Sequence, residues 1–470
     1  MKFEKGYCSH CFKYTKHKLV EQNYVRRNVY ECSNCKAKTL QCRLCNNFAR
    51  GEENWDDELC VEHDGLIANF ENLNIKLKSI DEYEKLFIRN AVNVKKVATI
   101  TAITVGGAAL LTPLAFAAAP AIGGVVGTTV LSLTGAAATN AGLAALGGGA
   151  LAAGGGGMAA GAMVVGAIGG GLGGVMGGVV SNSYMADVKD FSIRKIKDGR
   201  GPGILFINGF TTQKDMNTGD WEKQLRELYP NNPWYHVTWE SKRLQDLGQN
   251  ILSHPGRDGI KKMLEQFAKK ATKEGAKKLG PISWVFTALG IVNNPWSIAM
   301  VKSEQTGVLL SDIIARTDDK IILCGHSLGA RVIYKTLSQL SSKKKRYILD
   351  VHLLGGAVGS DKKSWKEAKR AVSGKIVNYK SDNDYVLATM YKLGTFFLSN
   401  PIGRNNIDVK GVINIDASSL VNGHTEYLQN FSSFFPEELK FKKKSIQDLG
   451  SNQTILIIII LIGLFLYLLL

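Results

Sequence analysis

The chain has 470 residues, room for two or three domains at roughly 150 residues each. Its 58 Lys and Arg against 41 Asp and Glu give a formal charge of +17, which favours anionic partners: a phospholipid surface or nucleic acid. With 45% hydrophobic residues gathered in blocks, composition excludes a disordered chain, a disulfide scaffold and a plain soluble single domain.

Residues 1–70 hold seven of the eight cysteines, and the start, MKFEKGYCSH, has no apolar signal core. Cysteines in pairs without an export signal point to a reducing compartment and metal binding. The pairs are Cys8-x2-Cys11, Cys32-x2-Cys35, Cys42-x2-Cys45 and Cys60-x2-His63. Tetrahedral zinc takes four N or S ligands, and each tight turn supplies two. Eight ligands predict two structural Zn2+ sites in a small zinc-binding domain, paired either sequentially or in a cross-braced order. With every position filled by protein, its expected role is recognition, a protein partner among the candidates. His10 and His17 fall off the spacing and read as surface residues.

Residues 71–96 read as a polar helical linker. From 97 to 186 no charged residue occurs, and this block carries 23 of the 50 glycines. A span needs about 20 apolar residues, so the block is expected to hold transmembrane helices. Gly166, Gly170, Gly174 and Gly178, with Gly169, Gly173 and Gly177 alongside, recur at four-residue spacing. That spacing lets helices approach closely in lipid. Residues 454–470 are uncharged and read as a C-terminal transmembrane anchor of about 25 Å as helix. Lys440, Lys442, Lys443 and Lys444 precede it and favour the cytoplasmic side. The zinc and catalytic domains are therefore expected at the membrane, facing the cytoplasm, with the Gly/Ala-rich block crossing an even number of times.

Residues 187–440 alternate short apolar runs with helical patterns. Runs at 204–208, 234–239, 321–324, 348–354, 376–379 and 412–415 argue for an α/β fold with a mostly parallel sheet and helices on both faces. The run KIILC leads into Gly325-His326-Ser327-Leu328-Gly329, then into RVIYKTLSQL with helical spacing. G-x-S-x-G between strand and helix is the setting of a nucleophile elbow, whose acid and histidine follow in chain order. Ser327 is the expected nucleophile and His424 the base. Asp384 and Asp382 compete as the orienting acid, and Asp416 lies on the strand leading to the histidine. The oxyanion hole is expected from the N–H groups of Leu328 and of Phe210 or Thr211, past the turn at Gly209. An insertion at 241–310 reads as a lid, with a lysine-rich amphipathic helix at 260–278 suited to an anionic membrane surface.

Taken together, the Gly/Ala-rich block, ILFINGF, GHSLGARVIY, LLGGAV, NYKSDNDYVL and VNGHTEYL occur in an order that resembles the transmembrane and coiled-coil domain-containing protein four family. The resemblance covers roughly residues 97–430 and leaves out the zinc-binding domain and the C-terminal anchor. It implies an α/β-hydrolase fold with esterase- or lipase-like activity, and an acid before an aromatic–Val pair, which matches Asp384-Tyr385-Val386. The expected function is a membrane-anchored serine hydrolase (a carboxylic ester hydrolase) acting on lipid or other acyl esters. The alternative is a catalytically inactive scaffold on the same fold. No aromatic–basic stripe supports nucleic acid.

Overall fold

The computed structural model describes residues 2–22, 28–49, 59–65, 67–89, 172–209, 218–240, 295–391 and 400–439, with Lys242, Leu244 and Asp246. Residues 97–171, the basic segment 260–278 and the expected anchor 454–470 lie outside the described residues. Among the described residues, no helix is long and apolar enough to cross a membrane.

The N-terminal module is an antiparallel meander of β1 (Phe3–Tyr7), β2 (Tyr14–Glu21), β3 (Val29–Cys32) and β4 (Lys38–Leu40). His17, read as a surface residue, is instead fully buried and stacks on Phe48 with ring centroids 3.5 Å apart. The strand alternation turns its side chain inward, and loss of water lowers its pKa to about 4. His10 is exposed.

Residues 71–89 do not form an α-helical linker. They make two 3₁₀ stretches, Glu71–Asn74 and Ile80–Phe87. Leu77, Ile80, Tyr83 and Leu86 recur every third residue, which is the 3₁₀ period, and all four enter the main hydrophobic core. Helix α1 (Val175–Asp187) follows. All of it but Asp187 lies within the block 97–186 read as transmembrane, yet here the glycines serve close contact inside a folded domain. A Cβ at Gly178 would lie 2.9 Å from Leu73, and one at Gly173 would lie 2.9 Å from the Ala315 carbonyl.

The remaining chain builds a seven-stranded sheet. In chain order its elements are β5 (Ser192–Lys197), β6 (Gly203–Ile207), α2 (Gly219–Leu228), β7 (Trp234–Thr238), α3 (Pro295–Ala315), β8 (Ile321–His326), α4 (Leu328–Leu340), β9 (Ile348–Leu354), α5 (Lys362–Ala368), β10 (Ile376–Lys380) and β11 (Val412–Asp416). The spatial order is β11-β10-β9-β8-β6-β7-β5. Every pairing is parallel except that of β5 with β7. Parallel strands need covered faces, and side chains alternate between two cores. Leu205, Ile207, Ile321 and Leu323 pack with α3 and α4, while Ile204, Phe206, Ile322 and Cys324 pack with Trp221, Leu225 and Phe431. Residues 295–310, expected as the end of a lid, belong to α3, whose Leu309, Leu310, Ile313 and Ile314 are fully buried.

Candidate active site and metal centres

The β8–α4 junction sets the geometry of the site. Ser327 sits between them at φ +57° and ψ −118°, a conformation that side chains seldom adopt. Its N–H donates to the Leu354 carbonyl at 3.0 Å, which anchors the turn to β9. Glycine is required beside it: a Cβ at Gly329 would lie 2.1 Å from the Ile207 carbonyl oxygen, and one at Gly209 would lie 2.5 Å from the Leu328 nitrogen. The chain can make this sharp turn against β6 only with those side chains absent.

The loops after β10 and β11 deliver the partners. His424 Nε2 lies 2.7 Å from Ser327 Oγ, and His424 Nδ1 lies 2.6 Å from Asp384 Oδ2. A carboxylate only accepts, so Nδ1 carries the hydrogen and Nε2 is left to accept from the hydroxyl. Asp384 Oδ1 accepts from the Leu387 N–H at 3.0 Å, so each carboxylate oxygen has a donor. All three residues are buried. Asp382 is exposed, and Asp416 is engaged by Lys380 and Ser418; neither reaches the histidine. Leu328 opens α4, so its N–H lies in the first turn, outside the helix ladder. Phe210 and Thr211 lie outside the described residues.

Three further residues support the site. His326 Nε2 donates to the His424 carbonyl at 2.8 Å. Burial, then the neighbouring His424, lowers the His326 pKa to about 3, which keeps it neutral. Asn208, on the loop after β6, accepts from the Trp221 indole through its side chain and from the Trp239 indole through its carbonyl. Tyr427 packs across His326 and His424. Spacing alone could not show these contacts; His326 and the His424 carbonyl, for one, are 98 positions apart.

In the N-terminal module the structure brings together Cys8, Cys11, Cys32 and Cys35, and separately Cys42, Cys45, Cys60 and His63. The ligand atoms of each set lie within 4.8 Å of one another, which is the sequential pairing. Sulfur separations are 3.8 Å for Cys8–Cys35, 3.9 Å for Cys11–Cys32 and 3.6 Å for Cys45–Cys60. A metal–sulfur bond of about 2.3 Å in a tetrahedron predicts an edge of about 3.8 Å. His63 Nδ1 completes the second set, 3.2 Å from Cys60 Sγ. The N–H groups of Leu44 and Asn47 donate to Cys42 and Cys45 sulfurs, as thiolate ligands require. Both sets therefore fit a metal ion with four protein ligands.

A family model matches residues 92–440. The chain belongs to the family described as "Protein of unknown function (DUF726)". The match excludes the cysteine-rich module. The fission yeast Schizosaccharomyces pombe has a relative named "Uncharacterized membrane protein C6F6.13c", 31% identical over 257 residues, covering 52% of this chain and 32% of that protein. Rice has "Transmembrane and coiled-coil domain-containing protein STS1", 29% identical over 256 residues, covering 52% of this chain and 38% of that one. Budding yeast has "Probable lipase MIL1", 27% identical over 299 residues, covering 57% of this chain and 27% of that one. The match thus spans about a third of the length of these curated relatives.

Proposed function

We propose that this chain is a membrane-anchored serine hydrolase of acyl esters, with the α/β-hydrolase fold and a Ser327–His424–Asp384 triad. The observation that carries the reading is the unbroken pair of hydrogen bonds from Oγ through the imidazole to a buried carboxylate, at a strained elbow. In this reading Ser327 Oγ bonds to the ester carbonyl carbon while its proton passes to His424 Nε2. Electrons of the carbonyl move to its oxygen, which the Leu328 N–H faces. Collapse breaks the C–O bond, and the leaving alcohol takes the proton from His424. Water then reverses the steps and frees the acid. Asp384 holds the imidazole in the required tautomer and stabilises it when protonated.

The proposed substrates are lipid acyl esters. The name of the budding yeast relative and the uncharged block at 97–171 support that choice. The finer family assignment is the four type of the transmembrane and coiled-coil proteins, with a zinc module added. The two ligand sets are assigned to structural Zn2+, and both folded parts to the cytoplasmic side.

Labelling of the full chain by a fluorophosphonate probe tests the reading. The wild type should label, and Ser327→Ala should not, with the same melting temperature. Absence of wild-type labelling, or equal labelling of the variant, would overturn it.

A further inference from the structure

The two ends of the parallel strands differ in chemistry. Ser327, Asp384 and His424 all follow the C-terminal ends of strands. At the opposite edge lies a cavity of about 550 Å³, lined by Arg346, Lys362, Lys366, Lys369, Arg370 and Lys410. Asp408 is the one carboxylate among its described lining residues. Arg346 precedes β9, Lys410 precedes β11, and the other four come from α5 and the turn after it. Three separate segments thus converge their positive charge.

None of the six cations makes an ion pair with a described residue. Lys369 is held in place: its Nζ donates to the Val372 carbonyl at 3.2 Å and the Gly374 carbonyl at 2.9 Å. An ammonium has three donors, so one remains. Burial first, then the charges of Arg346 and Lys375, hold its pKa below the usual lysine range. Crowded like charges destabilise a fold unless an anion joins them. The volume falls within the range of small-molecule sites. Two guanidiniums offer paired donors, and lysines act as point charges for phosphate.

We propose that this cavity binds a phosphate-rich anion, either the multiply phosphorylated headgroup of an anionic lipid or a soluble polyphosphate of the same chemistry. It lies at the sheet edge away from Ser327, so the bound anion is not the ester being cut.

The experiment uses the full chain and its Lys366→Glu, Arg370→Glu, Lys410→Glu triple variant. A control carries Arg200→Glu, Lys223→Glu and Arg226→Glu, the same charge change elsewhere. Binding is measured at physiological salt to inositol hexakisphosphate and to vesicles containing phosphatidylinositol bisphosphate. Saturable one-to-one binding, weakened at least about thirtyfold in the triple variant and under threefold in the control, is expected. Binding to both probes assigns a soluble anion; binding to vesicles alone assigns the lipid. Equal loss in variant and control, or binding of RNA with neither phosphate probe bound, would overturn the proposal. Fluorophosphonate labelling should be unchanged in the triple variant, which separates this site from the ester site.

Discussion

The N-terminal module and the α/β domain solve the same problem with different means. The α/β domain buries two continuous hydrophobic clusters, one on each face of its sheet. The module has four short strands, and its cysteines are themselves members of its core, with Cys42 and Cys60 packed among Val61, Ile67 and Phe70. A unit of that size buries little apolar surface, and ligand bonds at the two proposed metal sites would add to it. If the two ligand sets hold metal as proposed, one region is stabilised by buried area and the other by eight donor atoms, and the two should fail separately.

Metal removal is the sharpest way to break them apart. Structural zinc supplies on the order of 10 kcal/mol of folding free energy in small domains. A strong chelator should therefore open residues 2–65 to hydrogen exchange. The strands β6, β8, β9 and β10 should stay protected, because no ligand touches them. Loss of protection across both regions at one chelator concentration would show a single cooperative unit. Next in size is the triad acid. Asp384→Asn should cut ester turnover by about 10⁴-fold by spoiling the tautomer, whereas exposed Asp382→Asn should change it less than threefold. The reverse order would reassign the acid.

The seam between the regions gives the third effect. Arg316, the residue just after α3, is fully buried and pairs with Asp312 at 3.0 Å. It also donates to the carbonyls of Leu73, Ile75 and Gly174, tying the 3₁₀ segment and α1 to the core. Asp312 in turn accepts from the Gly173 N–H and the Ser181 hydroxyl. Arg316→Ala leaves the buried Asp312 carboxylate without its counter-charge and takes a donor from three carbonyls, at a cost of about 3–5 kcal/mol. Urea unfolding measures it, and proteolysis between residues 65 and 89 should rise in parallel. A loss under about 1 kcal/mol would mean that the seam is held by apolar packing alone.

How far the sequence disclosed all this follows from the range of each interaction. Six strands of the large sheet were legible because each is a short apolar run. The antiparallel edge strand β5, SIRKIK, was not, since an edge strand is half polar and carries no such run. Ser327, Asp384 and His424 were legible through chain order, and the cysteine pairs through spacing. Between Asp384 and Asp382 the preference for Asp384 comes from the aromatic–Val pair that follows it; the burial that distinguishes the two is not displayed by a string of KSDND. The glycines of α1 misled for a physical reason: close helix approach looks the same whether the neighbour lies in lipid or is Leu73 of the same domain. The bonds made by His326 and Arg316 were invisible because their partners are remote in sequence.

The smallest expected effect is titration, and it sharpens the comparison from the side of the α/β domain. Burial lowers His352 and His326 to about 3 and His236 to about 4, against about 6.5 in the unfolded chain. Above pH 6.5 neither state binds these protons, so the stability they permit is fully present. As pH falls from 6.5 towards 3 the unfolded chain takes up protons that the folded chain refuses, and stability is lost. Each histidine contributes up to about 1.4 kcal/mol per pH unit in that window. His352 is the clearest case. Its Nε2 and Nδ1 each lie 2.9 Å from a tyrosine hydroxyl, those of Tyr229 and Tyr379. Neutral imidazole has one donor and one acceptor for them, and protonation would turn both nitrogens into donors inside an apolar core. His352→Gln keeps one donor and one acceptor but cannot titrate. Urea unfolding of the metal-loaded protein between pH 5 and 7 should therefore show a shallower pH slope in the variant, by about one histidine's share. An unchanged slope would show that His352 contributes nothing to the acid sensitivity, leaving it to groups such as His326 and His236.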